Sequence, residues 1–417
     1  MKILVTGKGG REHAILSALK RNNPQHELFA CPGSDAISAI AECVKAPNPA
    51  ALVQWMSQNH IDLCVAGEES WLVTDEGLAN LCEGANIPCW GPRKEAAQLE
   101  ASKAFAKDFL VRHHIPTASH QVCTNAAEAR AAAQQLPIVL KFDGLAAGKG
   151  VAVCHQREEA DSFITQVMEQ RIFGPGNLVV EQCLIGPEIS VFASLSSGAH
   201  QVLMPARDYK RISDGDQGPN TGGMGAVACR DILEPQMLAQ IEREIVEPTV
   251  RGLVSDGLDY RGFLYFGLML TAEGPKVIEY NCRFGDPEAE AVMPLLRGNL
   301  ASYLFEGASG RLQPELIHFS AQWSLCVISA SAGYPASSRS GDRIEGLDRV
   351  ESAQVYHCGS ARLEDGSIVT QGGRVLAVVA QGDSLREARE KAYAACSPIT
   401  FPGMQRRSDI GSLHFAP

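Results

Sequence analysis

The sequence predicts a multidomain chain of α/β and α+β construction. An open, Rossmann-like parallel sheet comes first, then a central mixed unit, then a small β-rich C-terminal domain. Three observations carry this. Short apolar strands alternate with helical stretches over residues 1 to about 100, the pattern of βαβ units. Further on, strands come in pairs around glycine turns, as in hairpins. The last hundred residues, from near His318, are mostly strands. A length of 417 residues suits roughly two to four domains. Their expected bounds are 1–101, 102–312 with a subdomain at about 117–188, and 318–417.

Taken in order, residues 2–6 (KILVT) form a strand and 12–20 a helix. Residues 27–30, 61–66 and 87–90 add strands to the same sheet. Residues 93–113 have helical periodicity that stops before Ile115-Pro116. Residues 138–142 and 151–154 are short, apolar and β-branched, the two arms of a hairpin. Residues 178–195 give two strands around Gly186-Pro187. Polar loop material fills 208–225. A helix covers 235–256, and strands at 263–270 and 276–282 flank the turn 271–274. In the last segment 374–379 is a strand and 384–395 a helix.

Apolar residues make up 45% and charged residues 20%, ordinary values for a globular protein. A net charge of -11 opposes nonspecific nucleic-acid binding but not small anionic ligands held by local cations. The 13 cysteines include no C-x-x-C pair, which is poor metal spacing, and their odd number is a poor disulfide framework. Reduced thiols in a cytoplasmic protein are expected. No stretch reaches the ~18 apolar residues of a membrane span, and the start lacks a signal-peptide core.

Between the arms of the hairpin lies Gly144-Leu-Ala-Ala-Gly148-Lys149-Gly150. A P-loop places four residues between its glycines, then Lys and Ser or Thr, and opens a helix. Here three residues intervene, Gly150 follows the lysine, and a strand follows that. The stretch is therefore a glycine-rich hairpin tip. Its N–H groups can approach a ligand closely and Lys149 can reach a phosphate. A solvated hairpin is the other reading of this stretch alone.

Gly7-Lys8-Gly9-Gly10-Arg11-Glu12-His13 follows the first strand. Glu12 replaces the third glycine of a dinucleotide fingerprint, and no acidic residue closes the second strand, so NAD is rejected. A glycine turn opening a helix remains, suited to a phosphate monoester. Gly67-Glu68-Glu69 lies at the same C-terminal sheet edge. In VIEYNCR (277–283), alternation points Glu279, Asn281 and Arg283 the same way. Two oxygen ligands there suit Mg²⁺, and Arg283 a carboxylate or developing phosphate, against a salt-bridge network as the bland reading. The turn after it carries Asp286 and Glu288. Asp208-Tyr-Lys-Arg211 with Gly218–Gly225 suggests a second anion clamp. Lys141 on a strand and Lys107 on the preceding helix are unusual unless phosphates meet them.

Together, GGREHA (9–14), QLEASKAFAKDF (98–109), DGLAAGKG (143–150), GPNTGGMG (218–225), NCRFGDPE (281–288), GGRV (372–375) and DIG (409–411) resemble the glycinamide ribonucleotide synthetase family of the ATP-grasp superfamily. The resemblance runs in order over essentially the full length. It implies a pre-ATP-grasp domain, a central ATP-grasp fold whose glycine loop closes over ATP with Gly148 and Lys149, and a C-terminal domain. It further implies that Lys107 and Lys141 contact phosphates, that the 180–184 segment with Glu181 and Leu184 reads adenine, and that Glu188 holds the ribose. Glu279 and Asn281 match magnesium (or manganese) ligands. Arg283 matches the arginine beside the acyl phosphate, with Lys149, Asp208 and Lys210 as further catalytic groups. Gly9, Gly10, Arg11, Glu68, Glu69, Asn220 and Asp286 fall in the substrate-contacting loops.

The implied activity is ATP-dependent ligation of glycine to 5-phosphoribosylamine through glycyl phosphate, giving glycinamide ribonucleotide, ADP and phosphate in purine biosynthesis. The expected partners are these small molecules, with no nucleic acid or membrane, and the protein is expected to be a cytoplasmic monomer or weak dimer. The chain departs from the family pattern at Glu68, Phe142 and Tyr209, which motivates an alternative ligase joining a different amino acid or amine. A noncatalytic nucleotide-binding regulator and a dehydrogenase are the remaining readings.

Overall fold

Strand β1 (Lys2–Gly7) is the centre of a five-stranded parallel sheet with β2 (Glu27–Pro32), β3 (Glu42–Cys43), β4 (Leu63–Ala66) and β5 (Cys89–Trp90), in the order β3-β2-β1-β4-β5. Its central strands β1 and β4 are largely buried and apolar because both faces are covered. Ile3 and Val5 pack with Ile15 and Leu19 of α1 (Gly10–Asn22). Leu4 faces the other way, toward Leu52 and Met56 of α2 (Pro49–Gln58). Short helices α3 (Ser70–Val73) and α4 (Leu78–Gly84) complete the layer. The computed structural model describes residues 1–146 and 150–412. Gly148 and Lys149, which carried the loop expectation, lie outside the described residues.

The helix expected over 93–113 is two pieces, α5 (Gln98–Ala101) and α6 (Lys103–Arg112). Ser102 breaks it. Its backbone is extended, and its hydroxyl accepts the Phe105 N–H at 3.1 Å as the cap of α6. Beyond it a four-stranded antiparallel sheet is ordered β6-β9-β7-β8, from β6 (His120–Cys123), β7 (Ile138–Phe142), β8 (Val151–Cys154) and β9 (Leu178–Gln182), with α7 (Ala126–Ala132) and α8 (Arg157–Ile164) packed on it. The hairpin arms fall where the apolar runs predict.

A nine-stranded sheet holds the rest together. It contains β10 (Glu188–Ser196), β11 (Ala199–Val202), β12 (Ala206–Asp208), β15 (Gly225–Ala228), β16 (Arg261–Thr271) and β17 (Gly274–Asn281). The segment expected as loop at 208–225 also carries the small ladder β13 (Arg211–Ser213) with β14 (Gln217–Asn220), a pairing that alternation in so polar a stretch does not signal. Helices α9 (Pro235–Ile241), α10 (Glu247–Ser255), α11 (Glu288–Val292) and α12 (Leu300–Ala308) and the pair β18 (Leu296–Gly298) with β19 (Ile317–Phe319) intervene. The C-terminal strands β20 (Trp323–Ala330), β21 (Gln354–His357) and β24 (Arg374–Gly382) extend the same sheet, since β15 pairs with β20. The small pair β22 (Ser360–Arg362) with β23 (Ile368–Thr370) and helix α13 (Leu385–Cys396) finish the chain. Among the described residues no helix is long and apolar enough to cross a membrane.

One irregularity positions the site. Between β16 and β17 the register steps from Gly267↔Glu279 to Leu268↔Val277, so Ile278 is a bulge. Val277 is buried in the core. Uninterrupted alternation would put Glu279 on that same buried face. The extra residue reverses the phase, so that Tyr280 is buried instead and Glu279 and Asn281 turn to the open face.

Candidate active site

The expected phosphate lysines meet at one carboxylate. Lys107 Nζ lies 2.6 Å and Lys141 Nζ 2.7 Å from the two oxygens of Glu181, and all three side chains are at most 6% exposed. Lys107 also donates to Thr117 Oγ1 at 2.8 Å, and Lys141 to the carbonyl of the bulged Ile278 at 2.9 Å. Burial opposes the charge on Glu181, yet the two ammoniums win and hold it below the usual carboxylate range. Burial likewise lowers Lys107. Glu181, expected within the segment that reads adenine, brings its side chain to the lysine pair. Leu184 is half-buried just beyond β9.

Glu188, opening β10, holds Lys210 Nζ at 2.8 Å, and Glu279 lies 3.8 Å from the same ammonium. Burial opposes ionisation of Glu279, but Lys210, Lys141, Lys103 and Arg283 keep its pKa low. The side chain of Asn281 makes no hydrogen bond among the described residues. Asp208 is half-buried; its Oδ1 is buried without a hydrogen-bond partner, and burial with nearby Glu288 pushes its pKa well up. Gly223, with φ +106°, leaves room for it: a Cβ there would lie 2.6 Å from Asp208 Oδ1. Asn220 is exposed on β14.

Arg283 lies past the end of β17 and enters the bland alternative, a salt-bridge network. Its Nε donates to Glu69 at 3.0 Å and its Nη2 lies 2.9 Å from Glu100. Glu100 also accepts the Cys282 N–H at 2.6 Å. Burial pushes Glu100 up to about 7 although Arg283 opposes it. Burial of Glu69 is outweighed by Arg283 and Arg11, and its pKa falls to about 2.

The glycine turn faces this network. Arg11 is turned inward, with Nε 2.6 Å from Glu12 and Nη1 3.3 Å from the Phe284 carbonyl, to which Arg283 Nη1 also donates at 3.4 Å. Glu12 accepts the Gly9 N–H at 2.7 Å and folds into the turn, and a Cβ on Gly7 would lie 2.5 Å from its Cδ. Its carboxylate fills the place that the third glycine leaves open in a dinucleotide site. A Cβ on Gly10 would run into Glu290 Oε1 and Cys358 Sγ. Asp286 pairs with Arg374 Nη2 at 3.0 Å, and Arg374 also donates to the carbonyls of Asp286 and Gly222. Glu68 accepts from the Ser70 N–H at 3.0 Å, at the start of α3.

Sequence reasoning missed Glu100, Lys103 and Arg374. Lys103 donates to the Gly144 carbonyl at 2.9 Å, and Asp143 accepts from Ser102 Oγ at 2.9 Å, so α6 anchors the base of the glycine hairpin. Glu100, Ser102 and Lys103 all lie within QLEASKAFAKDF (98–109), and Arg374 within GGRV (372–375). The two remaining departures are packing residues. Phe142 lies against Phe173, the rings tilted by 39°, with Gly144, Gly150 and Gly176 beside its side chain. Tyr209 is 1% exposed, lies between Arg207 and Arg407, and its hydroxyl accepts the Gly411 N–H.

Models of the phosphoribosylglycinamide synthetase N domain, ATP-grasp (A) domain and C domain match residues 1–100, 101–289 and 324–413. A phosphoribosylamine–glycine ligase of Caldanaerobacter subterraneus is 40% identical over 99% of this chain and 100% of its own. One from Xanthomonas axonopodis is 42% identical, covering 99% of this chain and 97% of its own. The crystal structure of a phosphoribosylamine–glycine ligase from Thermotoga maritima superposes with a TM-score of 0.86 at 32% identity, over 98% of this chain and 100% of that one. A biotin carboxylase domain from Hydrogenobacter thermophilus shares the fold, with a TM-score of 0.73 at 17% identity, over 97% of this chain and 91% of that one.

Proposed function

Because the chain belongs to the phosphoribosylglycinamide synthetase family, we propose that the sheet edge around Glu279, Arg283 and the paired lysines activates glycine and that the facing α1 turn receives the amine. The protein is an ATP-grasp ligase that joins glycine to phosphoribosylamine in purine biosynthesis. One observation carries the residue assignment: Arg11 and Arg283, from segments far apart in sequence, converge on the Phe284 carbonyl and on Glu69.

In this reading the glycine carboxylate attacks the γ-phosphorus of ATP and ADP leaves. The amine of phosphoribosylamine then attacks the glycyl phosphate carbonyl, and phosphate departs. Positioning and charge stabilisation do most of the work in phosphoryl transfer. Lys107 and Lys141 hold the polyphosphate, Glu188 the ribose, and the segment through Leu184 the adenine. Arg283, fixed by Glu69 and Glu100, stabilises charge on the acyl phosphate with Lys210. Asp208 takes the proton lost by the amine. Gly9, Gly10 and Arg11 receive the 5-phosphate, while Glu68, Asn220 and Asp286 shape the amine side. Lys149 with Gly148 closes over the phosphates.

Glu279 and Asn281 would hold Mg²⁺ or Mn²⁺. They fit a hard cation: both offer oxygen from the open face, and the surrounding Lys210, Lys141 and Lys103 keep Glu279 ionised despite burial. When bound, such an ion neutralises phosphate charge. We infer a cytoplasmic monomer or weak dimer acting on small molecules only.

Phosphate release with Mg-ATP, glycine and fresh phosphoribosylamine, omitting each in turn, tests the reading. Release should require all three. Asp208→Asn should retain glycine-dependent ATP cleavage and lose amide formation. Full ligation by that variant would remove Asp208 from the mechanism.

A further inference from the structure

Three cysteines widely spaced in sequence meet in the N-terminal domain, away from the nucleotide lysines. Cys64 of β4 and Cys89 of β5 are register partners on neighbouring parallel strands, and Cys82 comes from α4. Their sulfurs all lie within 4.8 Å of one another. Cys64 and Cys82 are 0% exposed and Cys89 8%. A cleft of about 240 Å³ touches the group at Cys89, where Ala79, Ile87 and Pro88 line it beside the polar Glu83, Arg93 and Arg261. No carboxylate or imidazole joins the trio among the described residues, and the surroundings are Leu4, Leu52, Met56 and Leu78.

We propose that Cys64, Cys82 and Cys89 form a three-thiol site for one soft, thiophilic ion, reached through this cleft, with trivalent arsenic the best-matched occupant. Sulfur donors without oxygen or nitrogen select soft acceptors over Mg²⁺. The number of donors sets three-coordination. Charge then ranks the acceptors. Three thiolates on a divalent ion leave a negative charge in an apolar core, which is costly without a partner. Arsenous acid avoids this: As(OH)₃ + 3 Cys–SH gives As(S–Cys)₃ + 3 H₂O. Three As–O and three S–H bonds break, three As–S and three O–H bonds form, no oxidation state changes, and the product is neutral. Occupancy ties β4, β5 and α4 together, so it should raise the unfolding temperature.

The test uses the full-length reduced protein with arsenite, Cd²⁺ or Mg²⁺, then desalting, elemental analysis and alkylation mapping of every cysteine. Arsenite should remain at one equivalent per chain and protect these three thiols, with the others serving as internal controls. Cd²⁺ should be held less well and Mg²⁺ not at all. Cys82→Ala should weaken arsenite retention at least about tenfold, while Cys396→Ala, a buried cysteine elsewhere, should not. Protection spread over other cysteines, tighter retention of Cd²⁺ than of arsenite, or undiminished retention in Cys82→Ala would overturn the proposal. The wild-type map needs no variant and so stands even if a substitution impairs folding.

Discussion

Substituting Glu181 by Gln keeps the shape of the lysine cluster and removes its one negative charge. Lys107 and Lys141 would then face a neutral amide with a single acceptor oxygen where the carboxylate now stands 2.6 and 2.7 Å from them, while Lys107 keeps the Thr117 hydroxyl and Lys141 the Ile278 carbonyl. The groups are 3–6% exposed, so solvent screens little. Breaking a buried pair costs about 3–5 kcal/mol. At about 2–4 °C per kcal/mol for a domain of 150–250 residues, melting should fall by roughly 6–20 °C. The pH dependence has a definite sign. Burial already lowers Lys107, and loss of Glu181 lowers it further. A lysine lower in the folded than in the unfolded state binds fewer protons when folded, so stability rises with pH. The deficit of the variant should therefore shrink as pH rises through that lowered value. Mg-ADP should raise the melting temperature of the variant more than that of the wild type, because phosphate replaces the missing carboxylate. Thermal unfolding across pH, with and without Mg-ADP, measures all of this. A variant that melts like wild type at every pH, with an unchanged KM for ATP, would refute the account of the cluster.

Other perturbations reach the remaining parts of the site. Glu100 sits at about 7, above its unfolded value, so the stability it contributes is present below about pH 4.5 and is lost as pH rises through 7; Glu100→Gln should remove a step near pH 7 from the kcat profile, and persistence of that step would assign it elsewhere. Gly10→Ala forces a methyl into Glu290 and Cys358; overpacking of about 1–3 kcal/mol should lower the melting temperature and raise KM for phosphoribosylamine. Arg374→Gln releases Asp286 and the Gly222 carbonyl, so KM for phosphoribosylamine should rise while KM for ATP stays, as steady-state kinetics with each substrate varied would show.

The glycine turn after β1, the hairpin arms and β16–β17 are legible because period-two apolar runs and glycine punctuation are local signals. What escapes is set by pairing at a distance. The bulge at Ile278 leaves no trace in an apolar run, yet it decides which face Glu279 takes. Ser102 lies inside an unbroken helical periodicity, yet it caps α6 through the Phe105 N–H while its hydroxyl donates to Asp143 of a distant segment. Glu100 and Arg374 look like surface charges until Arg283 and Asp286 meet them. The cysteine trio follows no ligand spacing, because a strand, a helix and a neighbouring strand bring it together.

The continuous nine-stranded sheet changes what the chain's last segment is. Because β20 pairs directly with β15, cutting the chain between β19 and β20 would not liberate a module. Separating the pieces would strip β15 of its neighbour and leave open backbone N–H and C=O groups on a short but buried apolar edge, an invitation to aggregate. Two such pieces made together would each carry the other's missing strand. They are built as complementing fragments, whose re-pairing at β15 and β20 restores the loop contacts of Arg374 along with the fold.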